Sequence, residues 1–266
     1  MKIGFSTLGC PDWTLSEIVA TAKDLGYNGV EIRGIASEMY APTMKCFSAE
    51  QIDKTIQKLG NLEIPILTSN ACIATKVNID SSVKEAMEYI ELAGKIGAKY
   101  VRIMCTNRAM LDDGDYELAL SYYKALAKHG EKFGVTPLIE TNGMFCDTSL
   151  LKKFMQESGE KNVGVLWDIH HPYRYNRETI EESIGNIGKY IKYTHIKDSV
   201  RENGATVYKM LGNGDLPLKQ AISSLKKIGY DGYITLEWVK RWQPDLAAPG
   251  IVFARYIDDI KSLLKE

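Results

Sequence analysis

Residues 163–169 read Val-Gly-Val-Leu-Trp-Asp-Ile, a short apolar run with one acidic residue near its end. A run of this length and composition is typical of a parallel strand that is buried on both faces. Seven further segments have the same character, so the sequence predicts eight strands. They are Lys2–Leu8, Gly29–Arg33, Ile64–Ser69, Tyr100–Cys105, Thr136–Thr141, Val163–Ile169, Tyr190–Ile196 and Gly232–Trp238.

Helical patterns lie between these strands. Thr14–Glu17 and Ser48–Gln51 both have the spacing of a capping box, in which the third helical residue reaches back to the cap. Four of the predicted helices end in a glycine that can take the left-handed conformation before the next strand; these are Gly26, Gly97, Gly134 and Gly229. Eight alternating strand and helix units favour a closed (β/α)₈ TIM barrel, an α/β fold, over an open sheet. The whole chain, residues 1–266, is predicted to form this barrel as a single domain.

Composition and charge narrow the class of protein. A chain of 266 residues is long enough for one such barrel. The 33 Lys and Arg residues face 34 Asp and Glu residues, so no cationic excess supports nucleic-acid or membrane-surface binding. No segment is apolar over eighteen residues, and the N-terminus turns polar too early for a signal peptide. The five cysteines form no CxxC pair, which fits a reducing compartment. The sequence predicts a soluble cytoplasmic protein.

The last four predicted strands each end in a group that can bind a metal. These groups are Glu140, Asp168, His195 and Glu237. The carboxyl ends of barrel strands meet at one rim, so the four side chains are expected to converge. Carboxylates about 4–5 Å apart would repel by roughly 3–4 kcal/mol per pair at an effective dielectric near 20. A divalent cation among them would remove this repulsion, and one imidazole with carboxylate oxygens suits Mn²⁺, Mg²⁺, Co²⁺ or Zn²⁺.

Several residues beside these ligands are predicted to contact a substrate. They are His171, Lys197, Arg201 and Trp238. Arg201 and Lys197 could hold a hydroxyl or an anionic group, although a solvated basic turn is the other interpretation of this segment. Trp238 could form a wall for a sugar, and packing over the barrel mouth is the alternative. Glu31, at the end of the second strand, and Asn142 are secondary pocket candidates.

At these residues the chain resembles the xylose isomerase-like TIM barrel superfamily, in particular its sugar phosphate isomerase/epimerase proteins. The resemblance runs from Gly29-Val-Glu-Ile32 through Tyr193-Thr-His-Ile-Lys-Asp198 to Tyr233-Ile-Thr-Leu-Glu237. It covers nearly the whole chain.

The ketose 3-epimerases of that superfamily bind their metal with Glu, Asp, His and Glu on four late strands. This pattern implies the ligand role already predicted for Glu140, Asp168, His195 and Glu237. Their substrate-binding His and Arg follow in Asp-x-x-His and His-x₅-Arg spacings. In this chain, those spacings imply substrate contacts for His171 and Arg201.

The resemblance also extends to apurinic endonuclease IV, a phosphodiesterase with three zinc ions. Those enzymes need histidines at the ends of early strands and an Asp-x-His before a glycine pair. The early strand ends here have no histidine, and the segment before Gly212 reads Thr206-Val-Tyr208. The residues for the second and third zinc ions are missing, which disfavours a nuclease.

The resulting hypothesis is a divalent-metal-dependent isomerase or epimerase of a ketose, a keto-sugar or a sugar phosphate. Glu140 and Glu237 would move the proton through an enediolate, one as base and the other as acid. A lyase that dehydrates an inosose or eliminates from a keto-glycoside would use the same chemistry and is the main alternative. An endonuclease IV-like hydrolase and a non-enzymatic sugar-binding barrel are weaker ones. Barrels of this kind commonly associate, but no sequence feature sets the number of subunits.

Overall fold

The computed structural model describes residues Met1–Lys265. Its strands are β1 Lys2–Ser6, β2 Gly29–Glu31, β3 Ile66–Cys72, β4 Tyr100–Met104, β5 Thr136–Glu140, β6 Gly164–Asp168, β7 Ile191–Ile196, β8 Asp198–Glu202, β9 Ala205–Lys209 and β10 Tyr233–Leu236. Its α-helices are α1 Leu15–Leu25, α2 Ile52–Leu59, α3 Ile79–Ile96, α4 Tyr116–Glu131, α5 Thr148–Ser158, α6 His170–Tyr175, α7 Ile180–Ile187, α8 Leu218–Lys227 and α9 Pro249–Lys265. Each of the eight predicted strands is present. Within the described residues, no helix has the length and apolar character that crossing a membrane requires.

The hydrogen-bonded order of the eight-stranded sheet is β2-β1-β10-β7-β6-β5-β4-β3. The chain also divides into two compact units. The terminal unit comprises Met1–Ile64 and His195–Glu266, and the central unit comprises Pro65–Thr194.

In the terminal unit, β1 lies between two parallel neighbours. It pairs with β2 in the register Gly4↔Gly29 and with β10 in the register Gly4↔Thr235. The ring of Phe5 stacks on Phe253 of α9 with a centroid distance of 4.1 Å, and both rings are fully buried. Burial of such a side chain contributes roughly 1.5–3 kcal/mol to folding. This contact anchors the last helix against the first strand.

In the central unit, β3, β4, β5 and β6 pair in sequence order, and every pair is parallel. The strands are buried almost throughout, as their apolar composition predicts. Tyr123 of α4 is fully buried, and its hydroxyl lies 2.9 Å from the Pro137 carbonyl and 3.0 Å from the Gly164 carbonyl, either of which can accept its hydrogen. This contact ties α4 to β5 and β6, and it helps to hold the ends of those strands in place.

Most of the helix-end signals are confirmed, although Gly134 lies two residues beyond Lys132, the cap of α4. Thr14 and Glu17 form the capping box of α1. The capping box predicted at Ser48–Gln51 is wrong, because α2 begins only at Ile52 and its cap, Gln51, makes no side-chain cap bond. The Ser48 hydroxyl instead bonds to the carboxylate of Glu50. The four glycines predicted to end helices all have positive φ angles, between 67° and 77°.

One element was not predicted. The segment after β7 forms an antiparallel hairpin of β8 and β9, in which Glu202 pairs with Ala205. Its two-residue turn is Asn203-Gly204, with φ angles of 50° and 81°. Positive φ at both turn residues is the geometry that joins two twisted strands, and Asn-Gly favours it.

Candidate metal centre

The strands place the four predicted ligands at equivalent positions. Glu140 and Asp168 are the last residues of β5 and β6, His195 is the penultimate residue of β7, and Glu237 directly follows β10. All four side chains are buried. One ligand atom from each residue lies within 4.8 Å of the others, so the group could hold a metal ion.

In the central unit, Glu140 has a cationic partner. The Arg102 guanidinium donates a hydrogen bond of 3.1 Å to Glu140 Oε2 and one of 2.8 Å to the Ser69 carbonyl. Arg102 is itself only 4% exposed. A buried cation beside a carboxylate favours its ionised form, which is the form that binds a metal ion or accepts a proton.

Asp168 is held by its own loop. Its Oδ1 accepts a hydrogen bond of 2.9 Å from the His170 backbone N–H, and its Oδ2 lies 3.4 Å from His171 Nε2. The Thr141 carbonyl, 3.2 Å away, contacts the other ring nitrogen of His171. Asp168, His170 and His171 form a second group whose ligand atoms lie close enough for a metal. Asp168 is common to both groups.

In the terminal unit, His195 and Glu237 each have a charged partner. His195 Nε2 lies 2.6 Å from Glu31 Oε2, and His195 Nδ1 lies 3.5 Å from Glu237 Oε1. The Lys197 ammonium donates a hydrogen bond to the second oxygen of Glu237. Lys197 is 1% exposed, so its charge acts on that carboxylate with little screening by water.

The donor set fits a divalent ion of the Mg²⁺, Mn²⁺, Co²⁺ or Zn²⁺ type. It consists of carboxylate oxygens and one imidazole, which these ions accept. The thiols nearby do not compete. Burial raises the pKa of Cys105 to about 12. Burial, followed by the negative charges of neighbours that include Asp168 and Glu140, raises the pKa of Cys146 even further. A thiol that stays protonated is a poor ligand.

The predicted substrate contacts fall into two sets. His171 and Lys197 are buried and each contacts one of the four ligands. Arg201 is exposed on β8, and its guanidinium donates to the Gly204 carbonyl of its own hairpin. Trp238 is buried, and its indole N–H donates to the Ala247 carbonyl. The structure therefore does not bring Arg201 or Trp238 to the ligand group, and their substrate roles remain predictions.

The two secondary pocket candidates, Asn142 and Glu31, are both buried and both make hydrogen bonds. Asn142 is buried and donates from its side-chain amide to the Thr106 carbonyl, so it stabilises the loop after β5. Glu31 is fully buried against His195. Arg102 was missed at the sequence level, although an arginine inside the apolar run of β4 was an available signal. A charged residue within such a strand is rarely buried unless it is paired.

Comparisons with known proteins agree with this architecture. The model of the family described as "Xylose isomerase-like TIM barrel" matches residues 19–257. A fructoselysine 3-epimerase of Escherichia coli O157:H7 is 21% identical in an alignment that covers 100% of this chain and 99% of the relative. The 3-keto-D-glucoside 4-epimerase YcjR of E. coli superposes with a TM-score of 0.76 at 17% identity, over 100% of both chains.

A solved barrel protein from Mycobacterium smegmatis, in complex with magnesium, has a TM-score of 0.77 at 17% identity. The match covers 99% of this chain and 96% of that chain. These similarities confirm the predicted fold, a (β/α)₈ barrel. Two of the similar proteins are epimerases, one is a probable 3-DHS dehydratase, and one similar barrel was solved with magnesium.

Proposed function

The chain belongs to the xylose isomerase-like TIM barrel family, and we propose that it is a divalent-metal-dependent isomerase or epimerase of a ketose, a keto-sugar or a sugar phosphate. The observation that carries the proposal is the group of Glu140, Asp168, His195 and Glu237, whose ligand atoms lie within 4.8 Å of one another. These residues would hold one Mn²⁺, Mg²⁺, Co²⁺ or Zn²⁺ ion.

Charge balance supports one divalent ion. Four buried carboxylates belong to the group or contact it directly: Glu31, Glu140, Asp168 and Glu237. Arg102 and Lys197 are their buried cationic partners. With His195 and His171 neutral, the six charged side chains named here sum to a charge of −2, which one divalent cation would neutralise. Uncompensated buried charge is costly, so this balance favours a bound ion.

The bound ion would act as a Lewis acid toward the substrate carbonyl. Glu140 and Glu237 would carry the proton. One carboxylate removes the proton from the carbon next to the carbonyl, and that C–H electron pair becomes the C=C bond of an enediolate. The other glutamate enters this step as the carboxylic acid, with a proton taken up from solvent. It gives that proton to the opposite face of the same carbon for epimerisation, and the carbonyl re-forms as the C=C electron pair becomes the new C–H bond. For isomerisation the proton goes to the former carbonyl carbon instead, and the hydroxyl proton moves between the two oxygens.

The chain offers two buried groups that could contact the enediolate oxygens. His171 lies beside Asp168, and Lys197 bonds to Glu237. A hydrogen-bond donor placed where negative charge develops lowers the barrier of such a step. Both residues therefore belong to the proposed site.

The likeness to fructoselysine 3-epimerase favours one reaction within the proposed class. We propose inversion at the carbon next to the ketone, and a ketose that carries an amino-acid group is the first substrate to examine. Keto-glycosides come next, because of the likeness to a 3-keto-D-glucoside 4-epimerase.

The test is incubation of the Mn²⁺-loaded protein with fructoselysine, common ketoses and 3-keto-glycosides in D₂O. The proposal predicts deuterium at the carbon next to the carbonyl together with a new diastereomer, both detected by NMR. Glu140→Gln and Glu237→Gln should each slow exchange by at least about 10², while exposed Glu157→Gln should not. Loss of water or of a leaving group would reassign the chain as a lyase. Full exchange in both site variants would contradict the two-glutamate scheme.

A further inference from the structure

Glu31 and His195 form a buried pair although 164 positions separate them in the chain. Glu31 is the last residue of β2, and its Oε2 lies 2.6 Å from Nε2 of the imidazole on β7. Neither side chain has any exposed surface. A carboxylate with no access to water needs a hydrogen-bond partner, and the imidazole provides it.

This contact determines which ring nitrogen carries a proton. With Glu31 ionised, its carboxylate can only accept hydrogen bonds, and the contact at 2.6 Å then has its hydrogen on Nε2. The other nitrogen, Nδ1, is on the side of the ring that faces Glu237, with Oε1 at 3.5 Å. A neutral imidazole with its proton on Nε2 has its lone pair on Nδ1, toward Glu237.

We propose that Glu31 is a positioning residue for the metal centre. It holds the His195 ring in one orientation, keeps the proton on Nε2 and leaves Nδ1 as the atom that binds the ion. The inference rests on the proposed metal site, because it concerns the orientation and the protonated nitrogen of one of its ligands. Partners of ligating histidines act in this way in other metalloproteins, and their loss typically weakens metal binding or activity about 10–100-fold.

A purely structural ion pair is the competing explanation. In that case the pair would stabilise the fold, and metal affinity would not depend on the hydrogen bond from Nε2. The two explanations differ in the metal affinity of folded variants and in the protonated nitrogen of the metal-loaded ring.

The first measurement is calorimetric titration of the metal-free protein with Mn²⁺. We expect Glu31→Ala to bind Mn²⁺ about 10–100-fold more weakly than the wild type. Glu31→Gln, whose amide oxygen can still accept the hydrogen bond, should lose less of the Mn²⁺ affinity. The matched control is Glu63→Ala, since Glu63 is a half-exposed glutamate of the same unit that pairs with Lys2. Circular dichroism identifies any variant that fails to fold.

The second measurement needs no variant of Glu31. The chain has four histidines, so long-range ¹H–¹⁵N correlation spectra of the Zn²⁺-loaded protein can be assigned with His195→Ala. We expect the His195 proton on Nε2 and the metal on Nδ1.

Each outcome is decisive. A proton on Nδ1, or an unchanged Mn²⁺ affinity in folded Glu31→Ala and Glu31→Gln, overturns the role of Glu31 and leaves the metal centre intact. A wild-type protein that binds no Mn²⁺ or Zn²⁺ overturns the metal centre and this inference together.

Discussion

The guanidinium of Arg102 donates a hydrogen bond of 3.1 Å to Glu140 Oε2, and both side chains are almost completely buried. Arg102 lies in the middle of β4 and Glu140 at the end of β5, the neighbouring parallel strand. A buried pair of this kind is costly to break, since removal of one partner leaves the other charge without compensation.

Replacement of Arg102 by Met should therefore destabilise the protein. We expect the free energy of unfolding to fall by about 3–5 kcal/mol, measured by urea denaturation in the presence of EDTA. The double variant Arg102→Met/Glu140→Leu should recover much of this loss, because no charge is then left buried. A single variant as stable as the wild type would show that Glu140 does not depend on Arg102.

Lys197 holds Glu237 through a hydrogen bond between two buried side chains. Lys197→Met should lower turnover or metal affinity by about 10–100-fold, as is typical when a partner of a metal ligand is removed. Lys197→Arg should not restore activity, since the planar guanidinium cannot take the place of a compact ammonium in a closed site. Steady-state kinetics and Mn²⁺ titration of the three proteins measure the effect. Lys209→Met, at a partly exposed position of β9, is a suitable control. Wild-type kinetics in Lys197→Met would contradict this role.

Four thiols, three of them buried and that of Cys46 partly buried, should be unreactive in the folded protein. Burial raises the pKa of Cys46 to about 11 and that of Cys105 to about 12, and it raises those of Cys10 and Cys146 further. Only the thiolate is nucleophilic, so iodoacetamide at pH 8 should label these four sites slowly until urea is added. Mass spectrometry of digested samples reports each site. Rapid labelling of Cys105 in the native protein would show that its surroundings are more open than described.

The capping box of α1 should respond to pH. Hydrogen bonds from the Thr14 backbone and then its hydroxyl lower the pKa of Glu17 below its usual 4.5. Because the folded-state pKa is the lower one, this contribution to stability is present above pH 4.5 and is lost as the pH falls through the folded-state value. Glu17→Ala should lower the melting temperature at pH 7, and its difference from the wild type should shrink as the pH falls below 4.5. A difference in melting temperature that stays constant with pH would show that the charge of Glu17 contributes nothing to stability.

Much of the fold could be predicted from the sequence because the strands are short apolar runs, separated by helices whose caps and terminal glycines are visible in the sequence. The four candidate ligands were also predictable as a set, since each lies at or next to the end of one of the last four strands of the barrel. Their partners were harder to find. Arg102 and Glu31 make their contacts across large sequence distances, and composition alone does not show which buried side chains face each other.

The errors have local physical causes. Ser48 has the spacing of a cap, but a short 3₁₀ turn at Lys45–Phe47 precedes it, and Glu50 competes for its hydroxyl. The hairpin at Asp198–Lys209 was missed although Asn203-Gly204 is a strong turn signal, because its strands are largely polar and lack the apolar alternation of a buried strand. This hairpin places Arg201 in solvent.

Metal content tests the central claim most directly. Elemental mass spectrometry of the purified wild type should find about one divalent ion per chain, and His195→Ala and Glu237→Gln should lose it or hold it weakly. Lys209→Met, which alters no ligand, should retain it. A wild-type protein without metal after incubation with Mn²⁺, Mg²⁺, Co²⁺ and Zn²⁺, or metal content that these ligand substitutions do not change, would contradict the proposed centre.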